Sequence, residues 1–104
     1  MSAVSAYAAL AEPHRREILD LLRGRERPVS DLVERLHLSQ PGVSKHLRVL
    51  REAGLVQVRV DGRQRLYTLD PGPLAEVDAW LEPYRAFWND RLDDLERYLK
   101  EHPE

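Results

Sequence analysis

The stretch from Ser39 to Leu55, SQPGVSKHLRVLREAGL, most constrains what this chain can fold into. Val43, Leu47 and Leu50 recur at helical spacing and define one inward stripe. Gln40, Ser44, Lys45, Arg48 and Arg51 fall on the opposite side, and no carboxylate interrupts that face before Glu52. Amide, hydroxyl and cationic groups suit an anionic polymer, which carboxylates would repel. Taken alone, the stretch fits an ordinary amphipathic helix with a solvated face just as well. Ser39 is a good N-cap, and Pro41 sits in the first turn, where a missing N–H costs little. Gly54 is placed to end the helix in a left-handed conformation.

The segment downstream of this helix favours a DNA-binding role. After Gly54 the period becomes alternating: Val56, Val58 and Val60 fall on one side, Gln57 and Arg59 on the other. Asp61-Gly62 is a two-residue hairpin signal, and RQRLYTL is the return strand. Arg63 comes directly after the turn, with Arg59 and Arg65 flanking it. A basic ribbon over residues 55–69, placed behind a polar helix, is a wing whose arginines lie along a DNA backbone or enter the minor groove. A hairpin that only completes the core is the alternative, and the arginines at the tip weigh against it.

Upstream, residues 3–11 are Ala-rich and expected to be helical up to Pro13, which constrains Glu12. Pro13 opens a second helix, PHRREILDLLRG, with Ile18, Leu19 and Leu22 inward and Gly24 closing it. Arg15 and Arg16 are expected in solvent rather than on a phosphate. A polar link, Arg25 to Arg27, leads to Pro28 and a third helix from Val29 to Leu36. His37-Leu38-Ser39 is then a tight turn into the polar helix that begins at Gln40. Two helices so joined, the second polar and basic outside, make a helix-turn-helix. His37 stands where a left-handed residue is wanted, a conformation His adopts at some cost.

Asp70 to Pro73 is a turn, and helical spacing predicts one long element over residues 73–100. Leu74, Val77, Leu81, Tyr84, Trp88, Leu92, Leu95 and Leu99 form its stripe, widened by Trp80, Phe87 and Tyr98. Pro83 interrupts it, so a kink or a restart is expected there. So long an apolar face cannot be covered by so small a domain, and the same helix of a second chain is the expected partner. The alternative is a small-molecule pocket lined by Trp80, Tyr84, Phe87 and Trp88.

With 104 residues, a single domain spanning 1–104 is expected. The absence of cysteine removes disulfides, thiolate metal sites and cysteine nucleophiles together. Residues 1–10 lack the basic start and apolar run of a signal peptide, and no segment approaches membrane-spanning length. A cytoplasmic protein without membrane contact is therefore expected. The net charge of −2 argues against a nucleic-acid partner until it is divided: residues 1–38 sum to zero, 39–69 to +4 and 70–104 to −6. The positive block coincides with the helix and ribbon already singled out, and binding depends on local potential rather than the total.

At SQPGVSKHLRVLREAGLV, with ALAEPHRREILDLLR before it and GRQRLYTL after it, the chain resembles the ArsR/SmtB family of bacterial winged-helix repressors. The resemblance runs from about Ala8 to Leu69 and is specific, and WLEPYRAFWNDRLDDLERYL resembles the tail of one branch. It implies a mainly α fold with a β-hairpin wing, a winged helix-turn-helix dimerising through its first and last helices. Tyr7 and Leu10 then join Leu81, Tyr84, Trp88, Leu92, Leu95 and Leu99 at the interface. The partner implied is a palindromic double-stranded operator with half-sites ~34 Å apart. The family's base-reading positions fall on Gln40, Ser44 and Lys45, with Ser39 counted beside them among the DNA-binding residues and Arg48 on a base or phosphate. Wing contacts fall on Arg59, Arg63 and Arg65, and His46 is either structural or a phosphate contact. Gln can pair with adenine and Lys with guanine in the major groove. Two departures are Gly42, where a small side chain is commoner, and His37, where glycine is usual.

Metal sensing does not transfer with the resemblance. Arsenic- and cadmium-type members carry a cysteine cluster where this chain has PVSDL, and zinc-type members place Asp and His two apart on the last helix. Here His102 is the only histidine of that region, while His14, His37 and His46 are scattered over three segments. Zinc needs converging ligands. Carboxylates with His102 across a dimer are the remaining metal option. The expectation is a homodimeric repressor or autorepressor with no metal, no cofactor and an unidentified effector. A winged helix used for protein docking is the competing reading, and the polar recognition face argues against it. An enzyme is remote, since no nucleophile–base pair or phosphate loop is present.

Overall fold

In the computed structural model, which describes residues 4–103, the chain runs α1 (Ala6–Leu10), α2 (Pro13–Gly24), β1 (Arg27–Pro28), α3 (Val29–Leu36), α4 (Gln40–Glu52), β2 (Val56–Asp61), β3 (Gln64–Leu69) and α5 (Leu74–Glu101). The helix expected over residues 3–11 begins at Ala3, which lies outside the described residues. The helix found is shorter, and the Ser5 hydroxyl caps it by accepting from the Ala8 N–H at 3.1 Å. Arg15 and Arg16 are not simply solvated. Arg15 donates to the carbonyls of Ala9 at 2.6 Å and Ala8 at 3.1 Å, and Arg16 to that of Leu10 at 2.6 Å. The last carbonyls of a helix lack intrahelical partners, so the guanidiniums of α2 satisfy the end of α1.

The helix-turn-helix is fixed by local backbone chemistry at both ends of α4. His37 is left-handed, at φ 56° and ψ 36°, and its N–H bonds the Val33 carbonyl at 3.0 Å. That single residue ends α3 and turns the chain toward Ser39, whose hydroxyl accepts from the Gly42 N–H at 3.1 Å. At the other end Gly54 has φ +77°, with its N–H on the Arg51 carbonyl and the Leu55 N–H on the Leu50 carbonyl, both at 2.9 Å. These two bonds are a Schellman motif, which only a residue tolerant of positive φ closes without strain.

The sheet has three antiparallel strands in the order β1-β3-β2. Its third strand was not visible in the pattern: Arg27, read as the end of a polar link, and Pro28, to which that link leads, pair with Tyr67 and Leu66. Two residues are too short for any periodicity, and only the arrival of β3 makes them a strand. Arg27 is held from its side chain as well, donating to the Leu21 carbonyl at 3.0 Å and to Asp31 at 2.7 Å. In the hairpin the turn residues are Gly62 and Arg63, because Asp61 is already paired with Gln64. Gly62 has φ +64° and Arg63 does not share the positive φ, as in a type II′ turn. The expected valine face fades outward: Val56 is 2% exposed, Val58 half-buried and Val60 71% exposed. The tip simply projects beyond the core.

That core is built where the helices meet the base of the sheet. Ile18, Leu32, Val43, Leu47, Leu50 and Leu55 are at most 1% exposed, and Val56 and Tyr67 close the cluster. α5 contributes no buried residue to it. Pro83 loses its bond to Ala79, but the 28-residue helix continues through it, so of the kink or restart expected there the restart does not occur. Tyr7 ties α1 to α5, its hydroxyl donating to the Glu76 carbonyl at 3.1 Å and its ring meeting Trp80 edge-on at 6.2 Å. No described helix is long and apolar enough to cross a membrane.

Candidate nucleic-acid interface

α4 is anchored by one face and leaves the other in solvent. Val43 and Leu50 are 0% exposed and Leu47 is 1% exposed, whereas Gln40, Ser44, Lys45, Arg48 and Arg51 are all exposed. The inward leucines therefore fix the rotation of the helix, and with it the direction of every outward group. Between α4 and β3 lies an open cleft of about 420 Å³, lined by Pro41, Ser44, Lys45, Arg48, Arg51, Arg65 and Tyr67. Four of these residues are cations and none is an acid. Lys45, Arg48, Arg51, Arg63 and Arg65 enter no ion pair among the described residues. Most arginines elsewhere are already engaged, by Asp31, Asp78, Glu82 and Asp94 or by helix-end carbonyls. Unpaired cations gathered on one face produce a positive potential that an external anion can use.

Strand register separates the three wing arginines. Arg65 pairs with Val60 and Tyr67 with Val58, so these four share one face of the ribbon, the face that reaches the cleft. Arg59 pairs with Leu66 and points to the other face, where it forms a two-point ion pair with Glu26 at 2.6 and 2.9 Å. The Arg59 hydrogen bonds and charge hold the Glu26 carboxyl below the usual range, and Glu26 raises Arg59 in turn. Arg59, grouped by sequence with Arg63 and Arg65, is thus a strut behind the wing. Arg63 occupies the turn at the tip, exposed and unpaired.

Two further expected contacts are also engaged internally. The Ser39 hydroxyl is the cap of α4. The His46 side chain is 19% exposed and turns back onto α2, its Nε2 3.8 Å from Glu12 and its ring 5.9 Å from that of His14. Burial above all lowers its pKa; Arg15, His14 and Lys45 add to this, and Glu12 opposes them. A neutral imidazole packed against α2 makes His46 a structural contact of the fold. Arg51 is read from the sequence as an outward residue of α4 but not as a contact, and Tyr67 is not singled out at all. The face of Arg51 was legible, but its place opposite β3 was not, and Tyr67 becomes a cleft residue through the docking of the ribbon beside α4.

Among the described residues no three His, Asp or Glu side chains converge on a point that could hold a metal. The His102 ring stacks on Tyr98 at 4.3 Å, with Nδ1 3.1 Å from the Tyr98 carbonyl. On α5, Trp80, Tyr84, Phe87 and Trp88 are between 47% and 56% exposed, and Leu92, Leu95 and Leu99 between 53% and 62%. Leu10 and Leu81 are partly buried, and Tyr7 is 40% exposed.

A family model described as bacterial regulatory protein, arsR family, matches residues 12–58, which run from the cap of α2 into β2. The chain is 31% identical over 77 residues to the transcriptional repressor SdpR of Bacillus subtilis, covering 74% of this chain and 86% of that protein. It is 40% identical over 87 residues to the HTH-type transcriptional regulator Rv2034 of Mycobacterium tuberculosis, covering 84% of this chain and 78% of that protein. Among solved structures, that of a possible transcriptional regulator for arsenical resistance superposes with a TM-score of 0.66 at 46% identity, over 84% of this chain and 88% of the other. The chain belongs to the arsR family of bacterial regulatory proteins and is a winged helix-turn-helix, DNA-binding transcriptional regulator.

Proposed function

We propose that this regulator is a cytoplasmic homodimeric repressor of a palindromic operator, with no metal required for DNA binding. The observation that carries the DNA side is the acid-free face shared by α4 and β3, on which Lys45, Arg48, Arg51 and Arg65 stand unpaired. Gln40, Ser44 and Lys45 lie toward the start of α4, the end of a recognition helix that contacts base edges. Arg63, at the wing tip, takes the backbone or the adjacent minor groove. Arg48 serves either a base or a phosphate. The α5 face from Leu81 to Leu99, with Tyr7 and Leu10 of α1, is the surface for the second copy. A soluble chain exposing a run of aromatic and aliphatic side chains gains by covering them.

Purified protein titrated onto its own upstream DNA, with and without chelator and over a range of salt, tests this reading. Tight, salt-sensitive binding indifferent to chelator is expected. Binding that collapses on chelation overturns metal independence. Absence of binding to any duplex overturns the assignment of the face in favour of protein docking.

A further inference from the structure

We propose that the cleft between α4 and β3 seats one DNA backbone phosphate per half-site, held by Arg51, Arg65 and the Tyr67 hydroxyl. This rests on the DNA-binding reading and adds which groups fix the register of the protein on its operator. Tyr67 is 7% exposed and its ring belongs to the core cluster, yet it also lines the cleft. Its hydroxyl makes no hydrogen bond to any described residue. The hydroxyl itself is not buried, so it opens into the cleft, where a partner from outside the chain can meet it. Here a rigid ring holds an unused donor at the wall of a cationic cleft, which is a preorganised place for an anion.

The position of the cations says which anion. Arg51 is in the last turn of α4, away from Gln40 and Ser44, and Arg65 comes from the wing. A group touched from both sides lies where the end of the recognition helix and the wing straddle the duplex edge, and there the duplex offers phosphate oxygens rather than base edges. Guanidinium forks match phosphate geometry, and hydrogen bonds to a charged acceptor are the stronger kind. Arg59 does not compete for this role, since Glu26 holds it on the opposite face of the ribbon.

The test neutralises phosphates one at a time. The full-length protein selects a duplex from random sequence, and each phosphate of that duplex is replaced in turn by a methylphosphonate. Affinities are measured for the wild type, Tyr67→Phe, which keeps the packed ring, and Arg51→Gln, a surface change. One phosphate per half-site is expected whose neutralisation weakens the wild type about tenfold, while both variants, already weakened, lose much less at that phosphate. Losses at every phosphate that are equal in wild type and variants overturn the proposal and leave DNA binding intact. A wild type with no affinity for any duplex overturns both. Saturable binding of pyrophosphate that Arg51→Gln abolishes, with no coupled DNA phosphate, overturns it in favour of a free anion.

Discussion

Arg59 and Glu26 clamp the back of the wing: Nε sits 2.9 Å from one carboxylate oxygen and Nη2 2.6 Å from the other. Glu26 immediately precedes β1, and Arg59 lies on β2, at the opposite edge of the sheet. Leu66 of the central strand pairs with both Arg59 and Pro28, so the ion pair bridges over it. The wing is therefore tethered to the helical body from the side away from the cleft.

That tether is acid-sensitive in a defined direction. Arg59 hydrogen bonding depresses the Glu26 carboxyl in the folded chain, so its contribution is complete above the ordinary glutamate range. It is lost as pH falls through that range toward the lower folded value. Thermal unfolding monitored from neutral pH downward should show a smaller acid-dependent decrease in Glu26→Gln than in the wild type. Arg59→Met should leave the salt dependence of DNA binding nearly unchanged, in contrast to Arg63→Met.

Lys45 and Arg63 should fail differently. Replacing Lys45 by Met relaxes sequence preference, with a loss of about 1–3 kcal/mol on the preferred duplex and little on random DNA. Replacing Arg63 weakens binding to all duplexes alike and reduces the salt slope by about one. Equal losses by both variants on specific and random DNA would remove this division of roles.

His46 carries a pH signature of the opposite kind to Glu26 in charge but of the same sign in stability. Its depressed pKa means the unfolded chain takes up a proton before the folded one does, so stability falls as pH drops through the ordinary histidine range. His46→Gln should flatten the denaturation profile in that window, leaving the acid limb due to carboxylates in place. An unchanged profile would place the titrating group elsewhere.

His37→Gly should be neutral to stabilising, up to ~1 kcal/mol by chemical denaturation. The left-handed backbone of His37 strains an L side chain, while glycine adopts it freely but costs more entropy on folding. A clear destabilisation would mean the imidazole contributes contacts beyond the turn.

For the dimer, Leu92 is 62% exposed in the single chain, so a charge there costs the isolated fold little. Leu92→Glu should lower the mass seen by light scattering toward the monomer, with helicity retained. An unchanged mass would exclude this part of α5 from the interface.

Local chemistry made the helix-turn-helix legible. The Ser39 cap, the Gly54 terminus, the left-handed position of His37 and the stripe Val43-Leu47-Leu50 act within a few residues of chain, and each is found as expected. The family is legible in the same stretch, because its motifs are contiguous. The outer face of α4 was legible too, since helical period alone separates Arg48 from Leu47.

Tertiary structure decided which cations are free. Arg15 and Arg16 cap α1, Arg59 belongs to Glu26 and His46 turns to α2, and each partner lies on another element that periodicity cannot bring near. Likewise β1 exists only because β3 pairs with it, and Tyr67 lines the cleft only because the ribbon docks beside α4. A pattern within one segment reports the direction of its side chains. The neighbours they meet depend on strand register and helix docking, which are long-range properties of the packed core.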